Sequence, residues 1–212
     1  AGGVGGYFGA KLAKSGQDVV FIQRGSHLKA MQANGLRVES KLGDVELPDV
    51  RATDDPSTVG AMDIVLVTVK SGQTEEAARL TQPMIGPQTG VITLQNGVEN
   101  EERLLKVLGK KHILGGVAYI LSLIKSPGCI QQTGPMARLE FGELDGNPSE
   151  RAVAFLDACK QASIDAILSD QIEGNIWKKF VFLCPHNGMT SLTRSSIGAI
   201  RDDADCRVLL QG

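Results

Sequence analysis

Lys179 and Asn187 are the residues whose chemistry and spacing first point to a reaction. A lysine ammonium beside a ketone polarises the carbonyl oxygen and supplies the proton that an alkoxide needs after hydride transfer. Positions eight residues apart lie two turns apart on one face of a helix, which places Asn187 on the same side as Lys179. Composition alone explains both Lys178 and Lys179 equally well as solvated charges. His186 is a further candidate acid, for which packing is the commoner role.

The residues around this lysine have the periodicity of a helix, because apolar side chains recur at Ile172, Ile176, Phe180 and Leu183. Pro185 follows within the same stretch. A proline inside a helix removes a hydrogen bond and clashes with the preceding turn. We therefore expect the helix to kink or break at Pro185.

A glycine-rich segment, AGGVGGYFGA, opens the chain and runs into a predicted helix. Dinucleotide-binding folds place G-x-G-x-x-G between a strand and a helix, because the turn is tight and the backbone approaches a pyrophosphate at the helix N-terminus. In the better register Gly2 and Gly5 are the second and third glycines. A poorer register uses Ala1, Gly3 and Gly6. The alternative to a cofactor-binding loop is that these glycines only make a flexible terminus. The predicted cofactor-binding loop consists of Gly2, Gly3, Val4 and Gly5.

The residue that reads the adenosine ribose in such folds lies about 20 positions after the glycines, at the end of the second strand. A carboxylate there accepts hydrogen bonds from the hydroxyls of NAD. Here the strand ends in Gln23-Arg24-Gly25-Ser26, without an acid. A guanidinium at Arg24 instead suits the 2′-phosphate of NADP, and a solvated surface arginine is the alternative.

Two further polar groups follow predicted strands, at the sheet edge where open α/β proteins bind ligands. Lys70 ends the strand predicted over 63–70, where it adds positive charge near the cofactor phosphate. Asn96 follows the strand predicted over 90–95, where it can hydrogen-bond the nicotinamide ribose or the substrate. The Asn96-Gly97 pair is also typical of an ordinary turn.

Strands and helices alternate through the first half, which predicts an α/β fold with a doubly wound, mostly parallel sheet. Apart from the strands at 63–70 and 90–95, we predict a strand at 18–22, helices at 26–34, 73–84 and 99–108, and short strand-like pieces at 36–39 and 44–47. A strand normally precedes a glycine loop, so we expect one before Ala1. Strand signals at 112–124, 128–133 and 137–142, separated by Pro127-Gly128 and Gly134-Pro135 turns, predict an antiparallel extension of the sheet.

A helix at 148–162 and a strand at 164–168 complete the predicted first domain. From Asp170 the pattern is helical, so we place the boundary near Ser169-Asp170, giving a dinucleotide-binding domain at 1–169 and the start of an all-helical domain at 170–212. The 43 residues of the second part are too few to bury a core alone.

Composition excludes several classes of protein. The 212 residues carry 22 Lys+Arg against 24 Asp+Glu, which is not the charge balance of a nucleic-acid-binding protein. No apolar run has the length of a membrane span, and the glycine-rich start has no basic region typical of a signal peptide. Four cysteines and three histidines form no metal-binding or redox pattern. We expect a cytoplasmic protein with reduced thiols and no metal site.

The order and spacing of several segments resemble the ketopantoate reductase (2-dehydropantoate 2-reductase) family over nearly the whole chain. The segments are AGGVGGYFGAKLA, FIQRGSHLKAMQANGLRV, DIVLVTVKSGQ, TLQNGVENEERL, ILGGVAYI, PGCIQQTGP, LEFGEL and IWKKFVFLCPHNGMTSLT. The resemblance implies a Rossmann domain plus a helical domain, with the active site between them. It also implies reduction of 2-dehydropantoate to pantoate by NADPH, in the pathway to pantothenate and coenzyme A, and a homodimer formed through the helical domain.

The same resemblance assigns roles to particular residues. Gly2 and Gly5 correspond to phosphate-loop glycines and Arg24 to the 2′-phosphate ligand. Lys70 and Gln73 correspond to cofactor contacts. Asn96 corresponds to the asparagine near nicotinamide and substrate, Lys179 to the general acid, and Asn187 to a substrate-binding asparagine.

The sequence departs from the family pattern in three places. Leu183 stands where some members have a substrate-contacting asparagine, the first strand is absent, and the chain stops before helices that carry a substrate-binding serine and a carboxylate. We expect residues to be missing at both ends; a protein of these 212 residues alone would have weak or no activity. Two alternatives stay open: a reductase of another 2-oxo or 3-oxo acid, or a non-catalytic NADP-binding paralogue.

Overall fold

The long antiparallel pair of strands near the middle of the chain organises the fold. The computed structural model describes residues 1–211. Its strands are β1 (Val20–Ile22), β2 (Leu36–Ser40), β3 (Val45–Leu47), β4 (Arg51–Thr53), β5 (Met62–Val67), β6 (Ile85–Thr93), β7 (Ile113–Ser126), β8 (Cys129–Glu143) and β9 (Asp165–Leu168). Its α-helices are α1 (Gly3–Lys14), α2 (Gly25–Asn34), α3 (Thr74–Thr81), α4 (Asn100–Leu108), α5 (Glu150–Gln161), α6 (Ile172–Thr193), α7 (Ile197–Asp202) and α8 (Ala204–Gln211).

The main sheet has the strand order β3-β2-β8-β7-β6-β5, with β9 also paired to β8. β5, β6 and β7 run parallel, β7 and β8 are antiparallel, and β2 and β9 pair with β8 in parallel. One cluster of buried side chains packs α1 and α5 against the sheet, and a second packs α3 and α4. The predicted α/β class, with a mostly parallel sheet and an antiparallel extension, is therefore confirmed.

The antiparallel extension differs from the prediction at Gly134-Pro135. We expected a turn there between two strands, but β8 runs through it as one strand. The register jumps from Ile120 opposite Ala137 to Leu121 opposite Thr133, so three residues of β8 bulge out of the ladder. Gly134 has a positive φ of 84°, a conformation that glycine adopts without strain.

Three further features differ from the prediction. β5 ends at Val67, so Lys70 follows the strand instead of ending it. The strand β4 was not predicted, because three half-exposed residues carry almost no periodicity. Helix α6 does not break at Pro185 but continues to Thr193. Val181, whose carbonyl loses its partner to the proline, is 67% exposed, so water can satisfy it.

A second, two-stranded parallel sheet pairs β1 with β4. Between β1 and β5 lies a mainly apolar groove of about 440 Å³, which extends to the glycine segment and to Arg24. The strand expected before the glycine segment would fit between these two strands, and that expectation stays a prediction. None of the helices within residues 1–211 is both long enough and apolar enough to cross a lipid bilayer.

Candidate active site

Helix α6 carries Lys179 to β7, an inner strand of the main sheet. Ile172 and Ile176 of this helix are buried against Val117 of β7, which fixes the rotation of the helix. One turn further on, the Nζ atom of Lys179 donates a hydrogen bond to the carbonyl oxygen of Ala118 at 2.6 Å. The same Nζ atom lies 5.6 Å from the centre of the Tyr119 ring, within the range of a cation–π interaction.

Burial changes the acidity of this ammonium group. The pKa of Lys179 is lowered to about 8, because the charged form loses hydration when it is buried. At neutral pH the group is therefore protonated but gives up its proton much more readily than a surface lysine does. Lys178, by contrast, is exposed. The structure thus separates two lysines that composition could not distinguish.

The turn that carries Asn96 is held by a small network of polar side chains. The Nδ2 atom of Asn100 donates to the Asn96 carbonyl oxygen at 3.1 Å, and the hydroxyl of Thr74 donates to Oδ1 of Asn100 at 3.2 Å. Nε2 of Gln95 donates to the carbonyl oxygen of Val69 and to the hydroxyl of Thr74, each at 2.9 Å. Asn100 and Thr74 are buried, whereas Asn96 itself is exposed and free to contact a ligand.

The Asn96 turn and Lys179 belong to the same region of the molecule. Val98, two residues after Asn96, packs against the cluster of Val117, Ile172 and Ile176 that also fixes α6. Asn187 lies further along the helix and is exposed. Eight residues of α-helix rise about 12 Å, so only a bound molecule that extends along α6 could contact both Lys179 and Asn187.

The glycine segment forms the first turns of α1, because the helix begins at Gly3 and is capped by Gly2. A Cβ atom on Gly3 would collide with the backbone of Ser122 and Leu123, and one on Gly5 would collide with Thr68. These two glycines are therefore required by the close packing of α1. A Cβ atom on Gly2 would meet no protein atom within 4 Å, so packing does not explain Gly2.

The N-terminal end of α1 suits a phosphate group. Its first turn has no acidic side chain, so its free backbone N–H groups and the positive end of the helix dipole face an approaching anion without competition. Val4 is half-buried and packs against the core, which anchors the turn. Open space at Gly2 allows a pyrophosphate to approach the backbone closely. The segment fits the dinucleotide that the sequence predicted.

Arg24 caps the N-terminus of α2 and lines the groove that also reaches the glycine segment. Its Nη2 atom pairs with Oε1 of Glu76 at 3.0 Å. Gln73 lines the groove together with Arg24 and Glu76. Lys70 is exposed and precedes the short 3₁₀ turn Ser71–Gln73, one residue beyond Val69, which also lines the groove.

Comparison with known proteins identifies the family. Residues 1–146 match the model of the family described as ketopantoate reductase PanE/ApbA. The chain belongs to the ketopantoate reductase family. It is 32% identical to a 2-dehydropantoate 2-reductase of Mesorhizobium japonicum, over 99% of this chain and 70% of that protein. It is 31% identical to an uncharacterized oxidoreductase of Bacillus subtilis, over 94% of this chain and 65% of that protein.

A solved ketopantoate reductase has the same fold. The crystal structure of 2-dehydropantoate 2-reductase from Geobacter metallireducens superposes with a TM-score of 0.93 at 34% identity, covering 99% of this chain and 69% of that one. The chain thus spans about two thirds of the length of these relatives. The resemblance drawn from the sequence is confirmed.

Within this ketopantoate reductase fold, four residues that shape the site were not predicted from the sequence. Thr74, Gln95 and Asn100 hold the Asn96 turn, and Glu76 pairs with Arg24. The signal for Asn100 was an amide four residues after Asn96 at the start of a helix. The sequence contains no signal for Glu76, because 52 residues separate it from its partner.

Proposed function

We propose that this protein reduces 2-dehydropantoate to pantoate with NADPH, and that Lys179 is the proton donor. The observation that supports this proposal most strongly is the half-buried ammonium of Lys179. The Ala118 carbonyl oxygen orients this group, and burial lowers its pKa to about 8. The name shared by the Mesorhizobium and Geobacter relatives supports the substrate. The pathway would be the synthesis of pantothenate and coenzyme A.

The cofactor assignment rests on residues at the start of α1, after β1 and after β5. NADPH supplies the hydride when it is bound. Gly2, Gly3, Val4 and Gly5 would hold its pyrophosphate at the start of α1, where the backbone is open at Gly2. Arg24 would bind the 2′-phosphate through charge-assisted hydrogen bonds. Lys70 and Gln73 would contact the same cofactor from the loop after β5, and the Asn96 turn would contact its nicotinamide end.

Lys179 has two tasks in this scheme. Its ammonium places positive charge beside the ketone oxygen, which stabilises the negative charge that develops as the carbonyl is reduced. It then donates a proton to that oxygen, and a pKa of about 8 makes this transfer easier than it is for an ordinary lysine. The hydrogen bond to Ala118 and the contact with Tyr119 limit the rotamers of the side chain, so the proton is held in one direction.

Asn96 and Asn187 would orient the substrate on either side of Lys179. Asn96 is exposed on a turn that three polar side chains hold in place, so its amide is available to a substrate or to the nicotinamide ribose. Asn187 lies about two helical turns from Lys179 and would contact the far end of the substrate. The active site would then lie between a cofactor domain at 1–169 and a helical domain beginning at 170.

Two properties of the whole protein belong to the same proposal. A cytoplasmic location is supported by the cysteines, because Cys129, Cys159, Cys184 and Cys206 are all free. A homodimer through the helical part is proposed on the family resemblance alone.

Leu183 favours a second candidate substrate class. It is half-buried on α6 between Lys179 and Asn187, where an asparagine in some relatives contacts substrate. An apolar side chain there removes one hydrogen-bond partner, which favours a 2-oxo or 3-oxo acid with an apolar group at that position.

A substrate panel tests the proposal. NADPH oxidation is followed by the loss of nicotinamide absorbance with 2-dehydropantoate and with other 2-oxo and 3-oxo acids, and each is repeated with NADH. Oxidation that is fastest with 2-dehydropantoate and NADPH supports the proposal. Faster oxidation with a bulkier apolar acid would select the second candidate. Cofactor binding without turnover of any acid would select a non-catalytic paralogue.

A further inference from the structure

The ion pair between Arg24 and Glu76 joins two elements across the mouth of the groove. Arg24 ends the segment after β1, and Glu76 lies in the first turn of α3. Their side chains are 60% and 55% exposed, and the Nη2–Oε1 distance is 3.0 Å. Both residues also line the groove beside Gly5 and Gln73. A phosphate that binds Arg24 therefore arrives within a few ångströms of a carboxylate.

The backbone turn that carries Glu76 is held in place. Thr74, two residues earlier, is buried and hydrogen-bonded to the carbonyl oxygen of Ser71 and to Asn100. This fixes the first turn of α3. A carboxylate in the first turn of a helix is also stabilised in its ionised form by the helix dipole. Glu76 therefore keeps a negative charge close to any ligand of Arg24.

We infer that Glu76 sets the preference between the two nicotinamide dinucleotides by opposing the 2′-phosphate at Arg24. This inference rests on the proposed role of Arg24. A ribose phosphate carries a charge of about −1.5 to −2 at neutral pH, so it is repelled by the Glu76 carboxylate and competes with it for the guanidinium. A free 2′-hydroxyl instead donates a hydrogen bond to a carboxylate, as in NAD-binding folds. The carboxylate absent from the end of β1 is thus supplied by α3.

The size of the effect follows from the exposure of the pair. An exposed ion pair contributes little to stability, on the order of 0.2–1 kcal/mol, so phosphate can displace Glu76 from Arg24. The repulsion remains after displacement, because α3 keeps the carboxylate nearby. Removing the charge should therefore strengthen phosphate binding by roughly 3- to 10-fold, an effect typical of one neighbouring charge near a protein surface.

Binding of adenosine 2′,5′-bisphosphate and of 5′-AMP tests this inference without turnover. The two probes differ only in the 2′-phosphate, and their dissociation constants are measured calorimetrically at one fixed salt concentration. Glu76→Gln keeps the shape of the side chain and removes its charge. We expect tighter binding of the bisphosphate by roughly 3- to 10-fold and nearly unchanged or weaker binding of 5′-AMP. In an Arg24→Ala background, Glu76→Gln should change the ratio of the two constants much less.

Glu75 is the matched control. It occupies the neighbouring position of the same helix turn, is 60% exposed, and pairs within α3 with Arg79. Glu75→Gln should leave the ratio unchanged. Suppose that Arg24→Ala loses the preference for the bisphosphate but Glu76→Gln leaves this preference unchanged or reduces it. The role of Glu76 is then overturned, while phosphate recognition by Arg24 stands. An unchanged preference in Arg24→Ala overturns phosphate recognition by Arg24, and the inference with it.

Discussion

The Nζ atom of Lys179 lies 2.6 Å from the carbonyl oxygen of Ala118, and this hydrogen bond joins helix α6 to the central antiparallel pair of strands. It orients a partly buried ammonium group at the point where the Asn96 turn, β7 and α6 meet.

The rate of reduction should fall in alkaline solution because Lys179 must carry a proton to donate one. With its pKa at about 8, the protonated fraction falls tenfold for each pH unit above that value. We expect kcat/KM to be highest below pH 8 and to decline at higher pH, which gives the pH–rate profile an alkaline limb. A pH–rate profile measures it. In Lys179→Arg the alkaline limb should disappear from any residual activity; a limb that persists at the same pH would assign it to another group.

Glu101 should make the stability of the fold depend on pH. Burial raises its pKa to about 7 from the ordinary 4.5, with a smaller contribution from Glu173. The folded state therefore holds a proton that the unfolded chain has lost, and stability falls as pH rises from about 4.5 to about 7. Glu101→Gln should raise Tm at pH 8 by several degrees and should change it little at pH 4. Differential scanning calorimetry at both pH values measures the effect.

Glu102 provides the control for this prediction. It lies beside Glu101 but is exposed and paired with Lys106 at 2.8 Å. Glu102→Gln should not raise Tm at either pH. Equal stabilisation by both substitutions would attribute the effect to the overall charge of α4 instead of to the buried carboxyl.

Replacement of single glycines by alanine should separate packing from cofactor binding at the start of α1. Gly3→Ala brings a methyl group against the backbone of β7 and should lower Tm strongly. Gly2→Ala meets no protein atom and should leave Tm within a degree or two. It should nevertheless weaken NADPH by roughly tenfold or more, because the methyl group occupies the path of the pyrophosphate. Full NADPH affinity in Gly2→Ala would contradict the placement of the pyrophosphate.

Asn100 should act on the reaction through Asn96. Its buried amide holds the Asn96 carbonyl oxygen at 3.1 Å, so Asn100→Ala frees the turn. We expect kcat to fall by roughly 10- to 100-fold, since small misplacement of an orienting group is costly. Binding of adenosine 2′,5′-bisphosphate should change much less than kcat, because Asn100 acts on the Arg24 site only indirectly, through Thr74 and α3. Equal losses in both measurements would indicate general damage to the fold.

The sequence predicted the layers of the fold much better than its irregularities. Short apolar strands such as Met62–Val67 and amphipathic helices are local patterns. The parallel sheet followed from their alternation along the chain. The bulge at Gly134-Pro135 resembled a turn because both features use the same residues. Strand β4 was too short to leave a pattern.

At the site, residue types were predictable but their partners were not. Composition did not distinguish Lys179 from Lys178, although the family resemblance did; in the structure the buried residues Ile172 and Ile176 fix the rotation of α6 that separates them. Glu76 reaches Arg24 through tertiary packing across 52 residues, which no local spacing reveals. The roles of Asn96 and Asn187 in binding substrate remain proposals.

The most direct test of the central claim is a single-turnover measurement with enzyme saturated with NADPH and mixed with 2-dehydropantoate. Wild-type protein, Lys179→Ala and Lys178→Ala are compared. We expect rapid NADPH oxidation in the wild type and in Lys178→Ala, and a rate lowered by about 10²- to 10⁴-fold in Lys179→Ala. NADPH affinity should change less than about twofold, because Lys179 is proposed to act on the ketone and is not among the proposed phosphate-binding residues. An unchanged rate in Lys179→Ala would contradict the assignment of this lysine as the proton donor.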